Sequence, residues 1–147
     1  MQWDGNSFEQ EIKACNFFQR YSYVVTGREV DKSDELLVEH IVRLDNLSVD
    51  RAIEIMFFSF YASDKPAIYG INIIKPSVDE WFAIEDYVKQ YHGVVIPVDK
   101  FRYTNYSGTF EERARAFLEF ISSLLEKYAK PTLLGAEWPH VEFDWQG

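Results

Sequence analysis

Apolar side chains recur along this chain at two periods, and the places where the period changes mark its elements. Phe8, Ile12, Cys15 and Phe18 return at helical spacing, which predicts a helix from about Phe8 to Gln19. Trp81, Ile84, Val88 and Tyr91 do the same and predict a second from Val78 to about Tyr91, stopped by His92-Gly93. The third pattern is the longest. From Phe110 to about Lys130, Ala114, Phe117, Leu118, Ile121, Leu124, Leu125 and Tyr128 form one stripe, charged residues lie mainly elsewhere, and Pro131 ends the run. Each helix is preceded by a Ser or Thr three residues before Glu or Gln: Ser7 with Gln10, Ser77 with Glu80, Thr109 with Glu112. Such a pair can satisfy the free N–H groups of a helix start.

Between the first two helices the runs are β-branched and aromatic. Tyr21 to Thr26, Leu36 to Leu44, Arg51 to Ala62 and Ala67 to Ile74 read as strands, separated by Gly27, by Asp45-Asn46 and by Ser63-Asp64-Lys65-Pro66. The unbroken apolarity of IMFFSFYA also suits a buried helix, but its short length and Pro66 favour a central strand. Two further strands are expected, one at Val94 to Val98 and one at the end of the chain, where Val141, Phe143 and Trp145 alternate with Glu142 and Asp144. Short links between the strands favour antiparallel neighbours. The expectation is a single α+β domain over residues 1–147, with an antiparallel sheet of five to six strands and three helices packed on it.

Composition narrows the class. Aromatic residues make up 17% of the chain, too much apolar ring surface for a disordered segment. The first ten residues lack the pattern of a secretory signal, and no apolar run approaches the ~20 residues that span a bilayer, so a soluble cytoplasmic protein is expected. Cys15 is the single cysteine, which excludes an intrachain disulfide and a cysteine-based zinc site. Acidic residues outnumber basic ones 24 to 15, giving a formal charge of −9 that disfavours contact with nucleic-acid phosphate or an anionic membrane. A basic partner fits better. The acidity is concentrated between residues 29 and 50, where Glu29, Asp31, Asp34, Glu35, Glu39, Asp45 and Asp50 face only Lys32 and Arg43.

Residues that could carry catalysis are not arranged for it. His40, His92 and His140 fall on different elements without a nucleophile motif around them. Asp45, Asn46 and Asp50 lack the spacing and glycine of a calcium loop, and Gly108-Thr109 opens a helix whose first turn carries Glu111 and Glu112, which repel an anion. Asp79-Glu80 and Glu85-Asp86 could serve as acid and base in a cleft, but on a helix they read first as dipole partners or solvated charges. No cofactor or metal is called for.

Three stretches remain as contact surfaces: the acidic region with Glu35, Glu39, Asp45 and Asp50; the loop with Arg102, Tyr103 and Tyr106; and the closing segment with Glu142 and Asp144. Rigid aromatics, adaptable polar residues and complementary charge are what adhesive surfaces use. In both aromatic stretches the rings can equally fold back on the core.

In general character, as an acidic, aromatic-rich single domain without a catalytic signature, the chain resembles the small immunity proteins of bacterial toxin systems, such as those of contact-dependent inhibition. That resemblance implies a protein that neutralises one cognate toxin, commonly a cationic nuclease, by covering its active or substrate-binding surface. The alternative is a small enzyme or ligand-binding protein with its site between sheet and helices. A self-assembling component and an acidic mimic of DNA are weaker readings of the same features.

Overall fold

In the computed structural model, which describes residues 5–62 and 66–143, five strands form one antiparallel sheet in the order of the chain. Helices α1 (Gly5–Lys13) and α2 (Asn16–Arg20) precede β1 (Val24–Asp31), β2 (Leu37–Asn46), β3 (Arg51–Phe60), β4 (Pro66–Lys75) and β5 (Glu80–Ala83). Helices α3 (Ile84–His92), α4 (Phe110–Tyr128) and α5 (Lys130–Leu133) follow. The α+β class and the antiparallel sheet are as expected. IMFFSFYA is indeed the central strand, paired on both sides along nearly its whole length.

Period-two alternation sorts the strand residues onto two faces. His40, Val42 and Leu44 align across the sheet with Phe57, Ile55 and Ile53, and these with Tyr69, Ile71 and Ile73. This set is the core face. Phe8 of α1 meets Phe57 edge-on at 4.9 Å between ring centres, and Phe117 of α4 stacks on Tyr69 at 4.3 Å. The stripe predicted for α4 is buried as expected, apart from the half-buried Tyr128. The helix starts with the capping box foreseen: Glu112 N donates to Thr109 Oγ1 at 3.1 Å, and Thr109 N donates to Glu112 Oε1 at 3.0 Å.

Arg51 ties the end of the chain to the sheet. It is 3% exposed; its Nε donates to Thr132 O at 2.9 Å, its Nη2 to Glu137 O at 2.7 Å, and its guanidinium lies 5.0 Å from the Trp138 ring. Multiple donors in one rigid fork let a single cation bond several carbonyls at once.

Several expectations are corrected. The first helix is two, because residues after Lys13 turn at Cys15 before α2 begins; Ser7 lies inside α1 rather than capping it. Gly27 is no turn. It continues β1 past an irregularity between Val25 and Gly27, so that strand runs on to Asp31. Ser77 and Glu80 do not cap a helix: Pro76–Val78 forms a 3-10 turn, Asp79 takes a left-handed φ of 54°, and Glu80–Ala83 pairs with β4. The helix therefore starts at Ile84, and it ends, as expected, at Gly93 with φ 68°. Val94 to Val98 forms no strand; it runs irregularly into a 3-10 turn at Val98–Phe101. Pro131 does not end the helical region but sits in the first turn of α5, where its missing N–H costs nothing. Val141–Phe143 is irregular, and Asp144 and Trp145 lie outside the described residues.

Candidate functional site

The other face of the sheet is built from the alternate positions. Glu29 and Asp31 on β1, Glu39, Ile41 and Arg43 on β2, Glu54, Met56 and Phe58 on β3, and Ile68, Gly70 and Asn72 on β4 share it by register. Glu39, Ile41, Arg43, Glu54 and Phe58 all remain partly exposed at its centre, in contrast to the sealed positions beside them in sequence. This open face is where the sheet meets solvent.

Its electrostatics are unbalanced. Burial lifts the Glu39 carboxyl above its ordinary range, and the neighbouring carboxylates of Asp31, Glu54 and Glu29 lift it further. Glu54 is raised in the same way by burial, with Arg43 opposing and Glu29 and Asp45 adding to it. Four strand carboxylates thus crowd a surface on which Arg43 is the one cation of the register set just named, and Arg43 already pairs with Asp45 at 3.2 Å. Like charges on one low-dielectric surface cost stability, and an incoming cation relieves that cost.

Beside this acidic stripe lies a pocket of about 500 Å³, within the range of ordinary ligand sites. It opens where β5 ends, beyond which β4 is bridged on that side at Ile68 by Arg102. Its walls are Met56, Phe58 and Ile68 of the sheet, Trp81 of β5, the Val95–Val98 stretch and Phe143. Polar groups converge on it from three elements: Glu39 from β2, Asn72 from β4, and Glu85, Asp86 and Lys89 from α3. Burial, and secondarily the Asp86 charge, push the Glu85 carboxyl up to about 7. Trp81 is 52% exposed and meets Phe143 edge-on at 6.4 Å.

The residues singled out from the sequence do not gather in one place. Glu39 lies on the open face and on the pocket wall. Glu35 is exposed in the link between β1 and β2. Asp45 and Asp50 do structural work. Asp45 accepts from Thr26 Oγ1 at 2.5 Å and pairs with Arg43; Asp50, in the left-handed region at φ 57°, accepts from the backbone N of Ser77 at 3.1 Å and from its hydroxyl. Those Ser77 bonds hold the Asp50 carboxyl below its usual range.

In the aromatic loop, Tyr103 is 7% exposed with the Arg113 guanidinium 4.5 Å from its ring, and half-buried Tyr106 donates to Lys100 O at 2.7 Å. Both rings fold onto the core. Arg102 remains outside, paired with Asp99 at 3.3 Å. Glu142 is fixed through its backbone, which exchanges two bonds with the Gln90 side chain at 2.7 and 3.0 Å, so its carboxylate faces outward.

Sequence reasoning missed Glu54, Asn72 and Trp81 as site residues, and it set Glu85 and Asp86 aside as dipole partners or solvated charges. The signal for Glu54 was present: it interrupts the apolar β3 run at the parity of Met56 and Phe58. Trp81 was hidden, and Glu85 misplaced on an outer helix face, because a helical period was read through a stretch that is strand to Ala83 and helix from Ile84.

Among the described residues no group of three or more His, Cys, Asp or Glu is placed to hold a metal ion, and no helix is long and apolar enough to cross a membrane. No known family model matches the chain, and no curated protein or solved structure is detectably similar to it.

Proposed function

We propose that this chain is a protein-binding inhibitor of the immunity type, which captures a basic partner such as a cationic toxin domain on the open face of its sheet. The observation that carries the reading is the crowding of Glu29, Asp31, Glu39 and Glu54 on one part-exposed face, with carboxyls at Glu39 and Glu54 raised by burial and by neighbouring carboxylates. A protein gains nothing for its own stability from such an arrangement. A cationic surface docking there would remove the repulsion, and Ile41 and Phe58 between the carboxylates would supply apolar contact. Complementary charge also speeds encounter, which suits an inhibitor that must reach its target before the target acts.

A second reading, a small-ligand protein or enzyme, is favoured by the pocket against α3, whose apolar walls and convergent polar groups fit a small molecule. The experiment that separates the two is affinity capture from lysate of the source organism at low and high salt, with the bound proteins identified by mass spectrometry. The protein reading predicts one stoichiometric basic partner, weakened by salt and lost in the double variant Glu29→Lys/Glu39→Lys. The control Glu119→Lys/Glu137→Lys, which reverses two exposed charges away from the open face, should keep it. Equal loss in both variants, or no partner at either salt level, overturns the reading.

A further inference from the structure

We propose that the pocket between β4, β5 and α3 is an anchor site for an arginine side chain presented by the basic partner. This rests on the protein-binding reading and names the contact that would give it specificity. Three features of the pocket select the occupant. Its walls are mostly apolar, so the group that enters must carry a hydrocarbon stem. Among the described residues its acidic groups, Glu85, Asp86 and Glu39, outnumber Lys89, which favours a cationic group. Trp81, half exposed at the wall, offers an aromatic face of the kind on which planar guanidinium stacks better than ammonium does.

An arginine meets all three demands. Its stem would lie along Met56, Phe58 and Ile68, as long basic side chains do on apolar surface, while its fork reaches the Glu85 carboxylate in the bidentate geometry that a lysine cannot make. The acidic stripe of the open face runs into the pocket through Glu39, so a cationic partner steered to the face would bring its arginine to the mouth. The pocket is large enough for that side chain and for parts of the residues flanking it.

The site also has a pH signature. Among the described residues, the polar groups that line the pocket with Glu85 are Asp86 and Lys89 from its own helix, Glu39 from β2 and the neutral Asn72 from β4, while Val95, Ile96, Val98 and Phe101 add no charge. Glu85 titrates at about 7, so it is ionised and receptive above that pH and progressively neutral below it. Binding of a cation therefore strengthens as pH rises through 7.

The test is a heteronuclear NMR titration of the full chain with acetyl-Ala-Arg-Ala-amide and with its citrulline counterpart, which has nearly the same shape and no charge. The arginine peptide should perturb the Trp81 indole and the amides of Asn72 and Glu85 and bind at least about tenfold more tightly than the citrulline peptide. It should weaken by about tenfold from pH 8 to pH 6, as the receptive fraction falls. Glu85→Gln should abolish the discrimination between the peptides, and Trp81→Leu should weaken the arginine peptide; retained spectral dispersion shows that each variant is folded.

Equal binding of the two peptides, or perturbations confined to surfaces away from α3, would overturn the proposal. So would capture of free agmatine more tightly than of the peptide, since that would make the pocket a small-molecule site. Loss of partner capture alongside normal arginine discrimination would instead count against the protein-binding reading.

Discussion

The two faces of the sheet are made from the same strands and alternate residue by residue, yet they are built to opposite rules. Phe57 and Phe58 are neighbours on β3. Phe57 is fully buried among His40, Phe8 and Phe110, with ring centres 4.4 to 5.3 Å away, whereas Phe58 is only partly buried between Glu39 and Ile68. On the core face, rings and aliphatic side chains are buried together, as close-packed interiors require. The opposite face holds carboxylates that repel one another and leaves apolar side chains partly wet. A face that costs stability and is nevertheless built from a regular strand pattern is better explained by what it meets than by what it holds together.

The largest expected effect tests the core side of that contrast. Phe57→Ala should destabilise the protein by about 3–5 kcal/mol in chemical denaturation, through lost burial and the cavity left behind. Phe58→Ala should cost clearly less, about 1–2 kcal/mol, because part of its surface is already in water. Equal losses would erase the distinction between the faces.

Arg51→Ala should cost about 2–4 kcal/mol, since it removes a buried side chain together with its bonds to the carbonyls of Thr132 and Glu137 and its contact with the Trp138 ring. Amide exchange should accelerate first in α5 and the segment after it. Removing the α4 cap by Thr109→Ala should cost about 1 kcal/mol and leave the open face unchanged.

The open face predicts effects of the opposite sign. Because Glu39 and Glu54 bind protons more tightly when folded than when unfolded, the folded state holds more protons between the two carboxyl ranges, and stability falls as pH rises through them. Glu39→Gln and Glu54→Gln should therefore raise the melting temperature slightly at neutral pH. That gain should fade below about pH 4, where the wild-type carboxyls are protonated in both states. Destabilisation at neutral pH would mean that these carboxylates have favourable partners and that the face is structural.

Much of the fold was legible because its elements obey a single period. The α4 stripe, the Thr109–Glu112 cap, the Gly93 stop and the central β3 strand follow from spacing and cap chemistry alone. The misreadings lie where two signals overlap. Trp81, Ile84 and Val88 keep a helical spacing across the junction of β5 and α3, and the pairing of Glu80–Ala83 with β4 overrides it. Gly27 looks like a turn residue but serves a strand irregularity, and Val94 to Val98 has β-branched content but no neighbour to pair with.

The candidate site was legible only in part. Charge density drew attention to residues 29 to 50, and Glu29, Asp31 and Glu39 do share a face. What separates them from Asp45 and Asp50 is bonding that composition does not weigh: Asp45 shares the parity of Glu39 but its carboxylate is taken up by Thr26 and Arg43, and Asp50 lies in the turn before β3 with its carboxylate bound to Ser77. The pocket could not be read from sequence, because it depends on β5 ending before β4 does and on α3 turning its first residues toward the gap.

The most direct test of the open face as a docking surface is carboxyl footprinting of the protein, free and in complex with the basic partner it captures. Modified Asp and Glu side chains would be located by mass spectrometry. The account predicts that Glu29, Asp31, Glu39 and Glu54 lose reactivity on binding while Glu119, Glu126 and Glu137 keep theirs. Protection of the latter group with an unchanged open face would contradict it.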